Sequence, residues 1–300
     1  MKVNRKNQTS ALSPSLKDSI RKLPDSSGVY LFYDKDGALM YVGKSKTLRK
    51  RVRSHFSSPE EIRMCRRIAN IEIRKTVGEL GALLLESRLI KELRPEYNRL
   101  ARHKRRIIIA RRALTAGGYA AVALQPTSRI DPVTFETILG IFKTKIQAKD
   151  FLASSAKTHR LCLNLLGLEQ SKRSCFSFHL HQCNGACMGL EPPDLYNPRV
   201  DAAFAERRIK AWPFPGAVII EEKGEAEGTT EVFVVDNWCL LYSFTYSTAQ
   251  PSLRVRGIHH FDYDSYRILA GYIFSDRKLE SVRPAGKHEI QTLLRKARAA

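Results

Sequence analysis

Two short apolar runs, GVYLFY (28–33) and ALMYVG (38–43), are joined by Asp34-Lys35-Asp36-Gly37, the spacing of a β-hairpin. A tight turn centred between Lys35 and Asp36 puts Tyr30 directly opposite Tyr41 on one sheet face, Cβ atoms roughly 5 Å apart. The period then changes to that of a helix from about Ser45 to Phe56, with Leu48, Val52 and Phe56 on one stripe. A polar break at 57–60 leads to a helix near 60–69, a short strand IEIRKT (71–76), and a long helix from Glu79 to Arg94 that stops at Pro95. At 100° per residue, Ala82, Leu83, Leu89, Ile90 and Leu93 all fall within about 60° of Glu86. A carboxylate at the centre of an apolar stripe must be paired, protonated or bound to a cation.

Beyond residue 100 the pattern gives β runs RRIIIARR and YAAVALQ, then a helical stretch from about 145 into a cysteine-rich region. Glu191-Pro192-Pro193 reads as a boundary and Trp212-Pro213-Phe214-Pro215-Gly216 as another. Antiparallel strands over 217–246, with a turn at Asp236-Asn237, precede a helix near 262–274 and a basic tail. The predicted organisation is a disordered basic tail (1–23), a compact unit over 24–100, a β/helical linker region over 101–190, and a C-terminal α+β domain over 191–300. Trp238, Tyr242 and Tyr246 suggest an aromatic surface on the last. No apolar run approaches the ~18–20 residues that cross a bilayer, so a cytoplasmic protein is expected.

Charge narrows the partner. The chain carries Lys+Arg 51 against Asp+Glu 30, a net +21, and residues 44–112 alone hold 21 Lys/Arg against 7 Glu. Such a concentration suits nucleic-acid phosphate, with a solubilising face, the ribosome or an acidic lipid surface as the alternatives. Lys44, Arg51 and His55 fall close to one line on the 45–56 helix. A cationic line beside two phenols and a buried carboxylate is the set that phosphodiester hydrolysis requires.

The residues then become specific. Gly28-Val29-Tyr30 followed by Tyr41-Val42-Gly43 resembles the GIY-YIG nuclease signature, with valine for isoleucine in both halves. GELGALLLESRLIKELRPEYN (78–98) resembles the region that closes this domain in the UvrC subunit of bacterial nucleotide excision repair. The resemblance covers roughly 25–190 and points to short UvrC-like proteins. It implies an α/β (α+β) fold, with a GIY-YIG nuclease domain of a small antiparallel sheet flanked by helices, followed by a cysteine-cluster region and a smaller α+β domain. It implies that Tyr41 is the general base, that Tyr30 positions water or phosphate, and that Lys44 and Arg51 meet the scissile phosphate. Glu86 would hold the divalent cation (Mg²⁺ or Mn²⁺), Asn98 would close the site, and Gly43, Lys46, Lys50 and Arg53 would face DNA. UvrC usually has tyrosine where this chain has His55, which can still donate a hydrogen bond or relay a proton.

Four of six cysteines, Cys162, Cys175, Cys183 and Cys187, lie within 26 residues; with no secretory signal, they do not read as a disulfide framework. Cys183 and Cys187 could share a helix face. Their spacing matches no standard zinc ribbon or ferredoxin run, and four thiolates suit zinc or an iron–sulfur cluster, against a set of unliganded thiols. The resemblance implies a [4Fe–4S] centre. The function expected is a metal-dependent DNA endonuclease that cuts once, 3′ to a lesion, in damaged double-stranded DNA prepared by UvrA and UvrB. The alternatives are a GIY-YIG endonuclease with another DNA substrate and a non-catalytic DNA-binding adaptor.

Overall fold

A computed structural model describes residues 13–98, 107–127, 130, 132–224, 228–247, 250–256, 261–275 and 281–299. The chain divides into two compact units, one formed by residues 1–104 with 212–300 and the other by 105–211.

The first unit opens with helix α1 (Pro14–Lys22), capped by Ser13, whose Oγ accepts from Leu16 N at 3.2 Å. Leu16, Ile20 and Leu23 are buried. This corrects the expected tail: the i, i+4, i+7 apolar set is short enough to hide in a basic, serine-rich segment, and only residues 1–12 lie outside the described ones. Strands β1 (Gly28–Tyr33) and β2 (Leu39–Ser45) follow, then α2 (Leu48–His55). The helix expected near 60–69 is reduced to a 3₁₀ turn, Pro59–Glu61, and one turn of α3 (Ile62–Cys65). Then come β3 (Asn70–Lys75) and α4 (Glu79–Leu93).

The sheet order is β2-β1-β3, antiparallel. Alternation along β1 splits its side chains between two cores. Tyr30 and Phe32 join Met40, Leu48 and Val52 on the α2 face. Val29 and Leu31 join Val42, Leu89 and Ile90 on the α4 face. The sheet therefore holds α2 and α4 on opposite faces.

The second unit carries β4 (Ile107–Leu114), β5 (Ala120–Thr127) and β6 (Ile138–Phe142) in order β5-β4-β6. Helix α5 (Lys145–His159) is capped by Thr144, and short α6 (Phe176–His179) and α7 (Pro193–Phe204) follow. Pro193 opens α7 rather than closing a domain, because its fixed φ and missing N–H suit a first helical position. Tyr196, Val200 and Phe204 of α7 pack with Cys162, Cys175 and Cys183 in one core, so the boundary falls at 211 and not at 190.

The first unit resumes with β7 (Val218–Lys223), β8 (Thr230–Asp236), β9 (Cys239–Ser247), β10 (Gln250–Arg256), α8 (Tyr263–Ile273), β11 (Val282–Pro284) and α9 (Lys287–Ala299). The strands form a sheet in the order β10-β9-β8-β7-β11. The β8–β9 turn is Asn237-Trp238, with φ of 46° and 64°, as a two-residue hairpin turn requires. It buries Trp238 completely, so this residue belongs to the core and not to an aromatic surface. The expected basic tail is α9, whose Ile290, Leu293 and Leu294 cover Ile219, Val232 and Phe244. Among the described residues no helix is long and apolar enough to cross a membrane.

Candidate active site

The hairpin brings the two tyrosines together, but in a different register from the one expected. Tyr30 pairs with Gly43 and Phe32 with Tyr41. The loop is wider than a two-residue turn: Asp34 N donates to Ala38 O at 3.0 Å, and the Asp34 carboxylate accepts from Asp36 N and Ala38 N. A further irregularity lies at Phe32/Tyr33. The shift is by two residues in effect, so the side-chain face is kept. Tyr30 and Tyr41 become diagonal neighbours with ring centroids 6.1 Å apart. Gly43 makes this possible. A Cβ there would lie 2.5 Å from Tyr30 Cζ and 2.7 Å from Tyr41 Cε1, so the glycine makes room for the phenols themselves.

Helix α2 lays His55 beneath them, fully buried. Tyr30 Oη and His55 Nε2 are 2.6 Å apart, and His55 Nδ1 lies 2.7 Å from Glu61 Oε2. The Glu61 carboxylate can only accept when ionised, so it fixes the proton on Nδ1 and leaves Nε2 to accept from the tyrosine. Burial lowers the His55 pKa below its ordinary value, with Glu61 opposing that shift. The imidazole therefore rests neutral near pH 7. Burial also raises Tyr30 and Tyr41, and neighbouring Glu86 adds to the rise in Tyr41 while Arg51 opposes it. Both phenols consequently rest protonated. At Tyr41 the Arg51 charge does not overcome burial and the Glu86 carboxylate.

Glu86 comes from the opposite face of the sheet. Its Oε1 accepts from the backbone N–H of Lys44 at 2.9 Å, and burial raises its pKa. Oε2 has no hydrogen-bond partner among the described residues, and neither Lys44 nor Arg51 forms an ion pair with it. A half-buried carboxylate with one anchored oxygen and one without a partner is a donor suited to a divalent cation. Lys44 lies on β2 and not on the α2 line, because β2 continues two residues past Gly43. Its ammonium donates to Glu79 Oε1 at 3.1 Å, and Lys46 pairs with Glu79 Oε2 at 2.6 Å. Lys50, Arg51 and Arg53 are exposed on α2.

Asn98 closes this region from behind. Its Oδ1 accepts from Val42 N and its Nδ2 donates to Val42 O, both at 2.8 Å. It thus holds β2 as an extra strand would, between Tyr41 and Gly43, and acts through the backbone.

In the second unit the sulfurs of Cys162, Cys175 and Cys187 lie within 4.8 Å of one another. Cys183 joins through a hydrogen bond with Cys162, and its pKa is lowered by that bond and by the Gly185 and Ala186 N–H groups. Cys183 and Cys187 do not share a helix face: a left-handed glycine, Gly185, separates them, and Cys187 lies in a 3₁₀ turn, Ala186–Met188. Four convergent thiols, one already favoured as thiolate, are a fitting donor set for a soft metal centre. His179 is held by Ser174 at 2.7 Å.

The structure thus gathers Tyr30, Tyr41, His55, Glu86, Lys44 and Asn98 about one end of β2. Sequence reasoning missed Glu61 and Glu79. Glu61 falls in the helix expected near 60–69, and no local pattern marks its reach back to His55.

Comparison with known proteins covers most of the chain. Family models match in order: the UvrC-like GIY-YIG domain over residues 26–99, the UvrC/Cho excinuclease middle domain over 114–206, and the excinuclease Cho C-terminal domain over 217–293. Excinuclease cho of Salmonella typhi is 33% identical over 87% of this chain and 87% of its own length. Its counterpart in Escherichia coli K12 is 34% identical over 87% of this chain and 86% of its own length. The UvrABC system protein C of Carboxydothermus hydrogenoformans is 32% identical over 58% of this chain but 29% of its own length. The solved GIY-YIG N-terminal endonuclease domain of UvrC from Thermotoga maritima, bound to its catalytic magnesium, is 32% identical. It covers 29% of this chain and 99% of that chain, at a TM-score of 0.27.

Proposed function

The chain belongs to the excinuclease Cho family of UvrC-like GIY-YIG endonucleases, and from that premise we propose a single incision 3′ to a lesion, in damaged duplex DNA prepared by UvrA and UvrB. A DNA endonuclease is what its family establishes; the incision side, the lesion and the UvrB partnership are the finer reading. The observation that carries the chemistry is the convergence of two phenols, a neutral histidine and the half-free Glu86 carboxylate at one strand end.

In this reading Glu86 would hold a divalent cation through its free oxygen, and that cation would supply positive charge where the phosphodiester becomes more negative. The chain's own groups do the rest. Tyr41 takes the proton of the attacking water. Tyr41 starts protonated, so it must shed its own proton, and the adjoining Tyr30 hydroxyl offers a path to His55 Nε2 at 2.6 Å. Glu61 then steadies the imidazolium. Arg51 offsets charge on the phosphorane-like transition state, and Lys44 joins it when phosphate displaces the Glu79 contact. Lys46, Lys50 and Arg53 track the backbone without reading sequence.

The test is incision of a duplex carrying one lesion, with UvrA, UvrB and Mg²⁺ or Mn²⁺. One cut 3′ to the lesion is expected. A cut on undamaged DNA alone would favour a GIY-YIG endonuclease of another kind.

The four cysteines complete the proposal as ligands of a sulfur-bound centre, [4Fe–4S] or zinc. Cys162, Cys175 and Cys183 sit inside the core of their unit, so the centre's role is structural. Elemental analysis of purified protein should show tightly bound iron or zinc, and Cys187→Ser should lose most of it together with thermal stability. Wild type isolated anaerobically without either metal would reduce the set to four free thiols.

A further inference from the structure

Helix α4 carries Glu86, yet its own sequence gives it a poor start. Its N-cap is Gly78, which makes no side-chain capping bond, and Gly81 occupies the first turn, where alanine would favour the helix. Both glycines have a partner far along the chain. The Glu222 carboxylate on β7 accepts from Leu80 N at 2.9 Å and from Gly81 N at 3.0 Å. Glu231 on β8, 4% exposed, accepts from Val77 N at 3.3 Å. A Cβ at Gly78 would run into the Glu222 carboxyl group, and one at Gly81 would lie 2.5 Å from Glu231 Oε2. The helix start is therefore capped from the C-terminal module, and its glycines are the room that the capping requires. The other end is held from the same module. Lys91 Nζ donates to the two oxygens of Asp262 at 2.7 and 2.6 Å and pairs with Asp264 at 2.9 Å.

These contacts do something that the apolar packing of α4 does not. Leu89 and Ile90 press the helix onto Val29, Leu31 and Val42, but apolar contact is non-directional and resists sliding along the axis weakly. Two charge-assisted bonds to the first N–H groups, with an ion pair at the far end, fix the axial position and the rotation. Glu86 stands six residues past Leu80, about 9 Å along a stiff rod. A displacement at the cap is thereby carried to the bond between Glu86 and Lys44 N.

We infer that the C-terminal module is a positioning element of the nuclease: Glu222, seconded by Glu231 and the Asp262–Lys91 pair, sets where Glu86 presents its carboxylate. This rests on the reading of Glu86 as the cation-binding carboxylate. The module thus tunes the metal site from outside the GIY-YIG domain without contributing a ligand.

The test uses the full-length chain with Glu222→Gln, which keeps the length and one acceptor, and with Glu221→Gln as control. Glu221 is the preceding residue of β7 and faces Arg283 at 3.2 Å. Three quantities are read: Mn²⁺ binding by electron paramagnetic resonance, the Mn²⁺ concentration for half-maximal incision, and amide exchange over 79–82. Glu222→Gln is expected to weaken Mn²⁺ binding and raise the half-maximal concentration about tenfold. The rate at saturating metal should change less than the half-maximal concentration does. Leu80 and Gly81 amides should exchange faster, and Glu221→Gln should match wild type throughout. A Glu222→Gln protein that melts earlier but binds Mn²⁺ and responds to it as wild type does would overturn the inference, leaving the module a plain stabiliser. Mn²⁺ binding that survives Glu86→Gln would remove the premise, and the inference with it.

Discussion

Glu86→Gln is expected to lower metal-dependent incision by about 10³-fold or more while leaving the fold and DNA binding in place. The glutamine can keep its carbonyl oxygen on Lys44 N, where the carboxylate now accepts at 2.9 Å, so β2 and the tyrosines need not move. What is lost is the charge on the oxygen without a partner. The stability change has a definite sign. Burial raises the Glu86 pKa from 4.5, so the folded chain binds this proton more tightly than the unfolded chain does. The ionised group costs stability as pH rises above about 4.5 through the folded value. The neutral glutamine relieves it. In the absence of divalent metal the variant should therefore melt at the same temperature as wild type or higher, and it should lose the stabilisation that added Mg²⁺ or Mn²⁺ gives wild type. Gel-based single-turnover incision and thermal melts with and without metal measure both effects. Undiminished cutting would mean that another group holds the cation.

Much of this site was legible because it lies in local pattern. The two half-motifs, the carboxylate on an apolar helical stripe and four cysteines in a short span each mark themselves within 26 residues or fewer. The register of the hairpin was not legible, because the Asp34 carboxylate and Gly37 make a wider loop than the Lys35-Asp36 dipeptide suggests. The error cost little, since a two-residue shift preserves the face. Helix α7 was hidden by Pro192-Pro193 at its start, which signal a break from one side and a helix start from the other. What no local rule could reach are contacts between distant carboxylates and backbone. Glu222 meets Leu80 across 142 positions, and both residues look like ordinary members of a strand and a helix. Glu61 is similar at shorter range: its function exists only once a 3₁₀ turn folds it back under α2.

His55→Phe should reduce the incision rate about 10²-fold with little change in DNA affinity, the range for loss of one positioned proton acceptor. Phenylalanine fits the aromatic surroundings of Tyr30, Phe32 and Tyr41, whose rings stand 5.3–5.4 Å from the imidazole. It removes both nitrogens, leaving the Tyr30 hydroxyl without its acceptor and Glu61 without its donor. If His55 only filled space, phenylalanine would be nearly silent. His55→Tyr restores a hydroxyl and should recover part of the rate. Acid should act on wild type in the same way. The folded pKa of His55 lies below 6.5 because burial disfavours the imidazolium, with Glu61 pulling it back up. Below that folded value Nε2 is protonated and cannot accept from Tyr30, so incision falls on an acid limb beneath pH 6.5. The stability linkage runs in the same direction: from about 6.5 downward the unfolded chain takes up a proton that the folded chain refuses, and stability declines until the folded pKa is passed. Glu61→Gln deletes the charge that raises this pKa, so its acid limb should move to lower pH even as its maximal rate drops. That opposite pairing separates a proton relay from a packing contact, because loss of packing alone lowers the rate without moving the limb. A pH–rate profile of wild type, Glu61→Gln and His55→Phe at saturating DNA and metal decides it. An unshifted limb in Glu61→Gln would place the titrating group elsewhere.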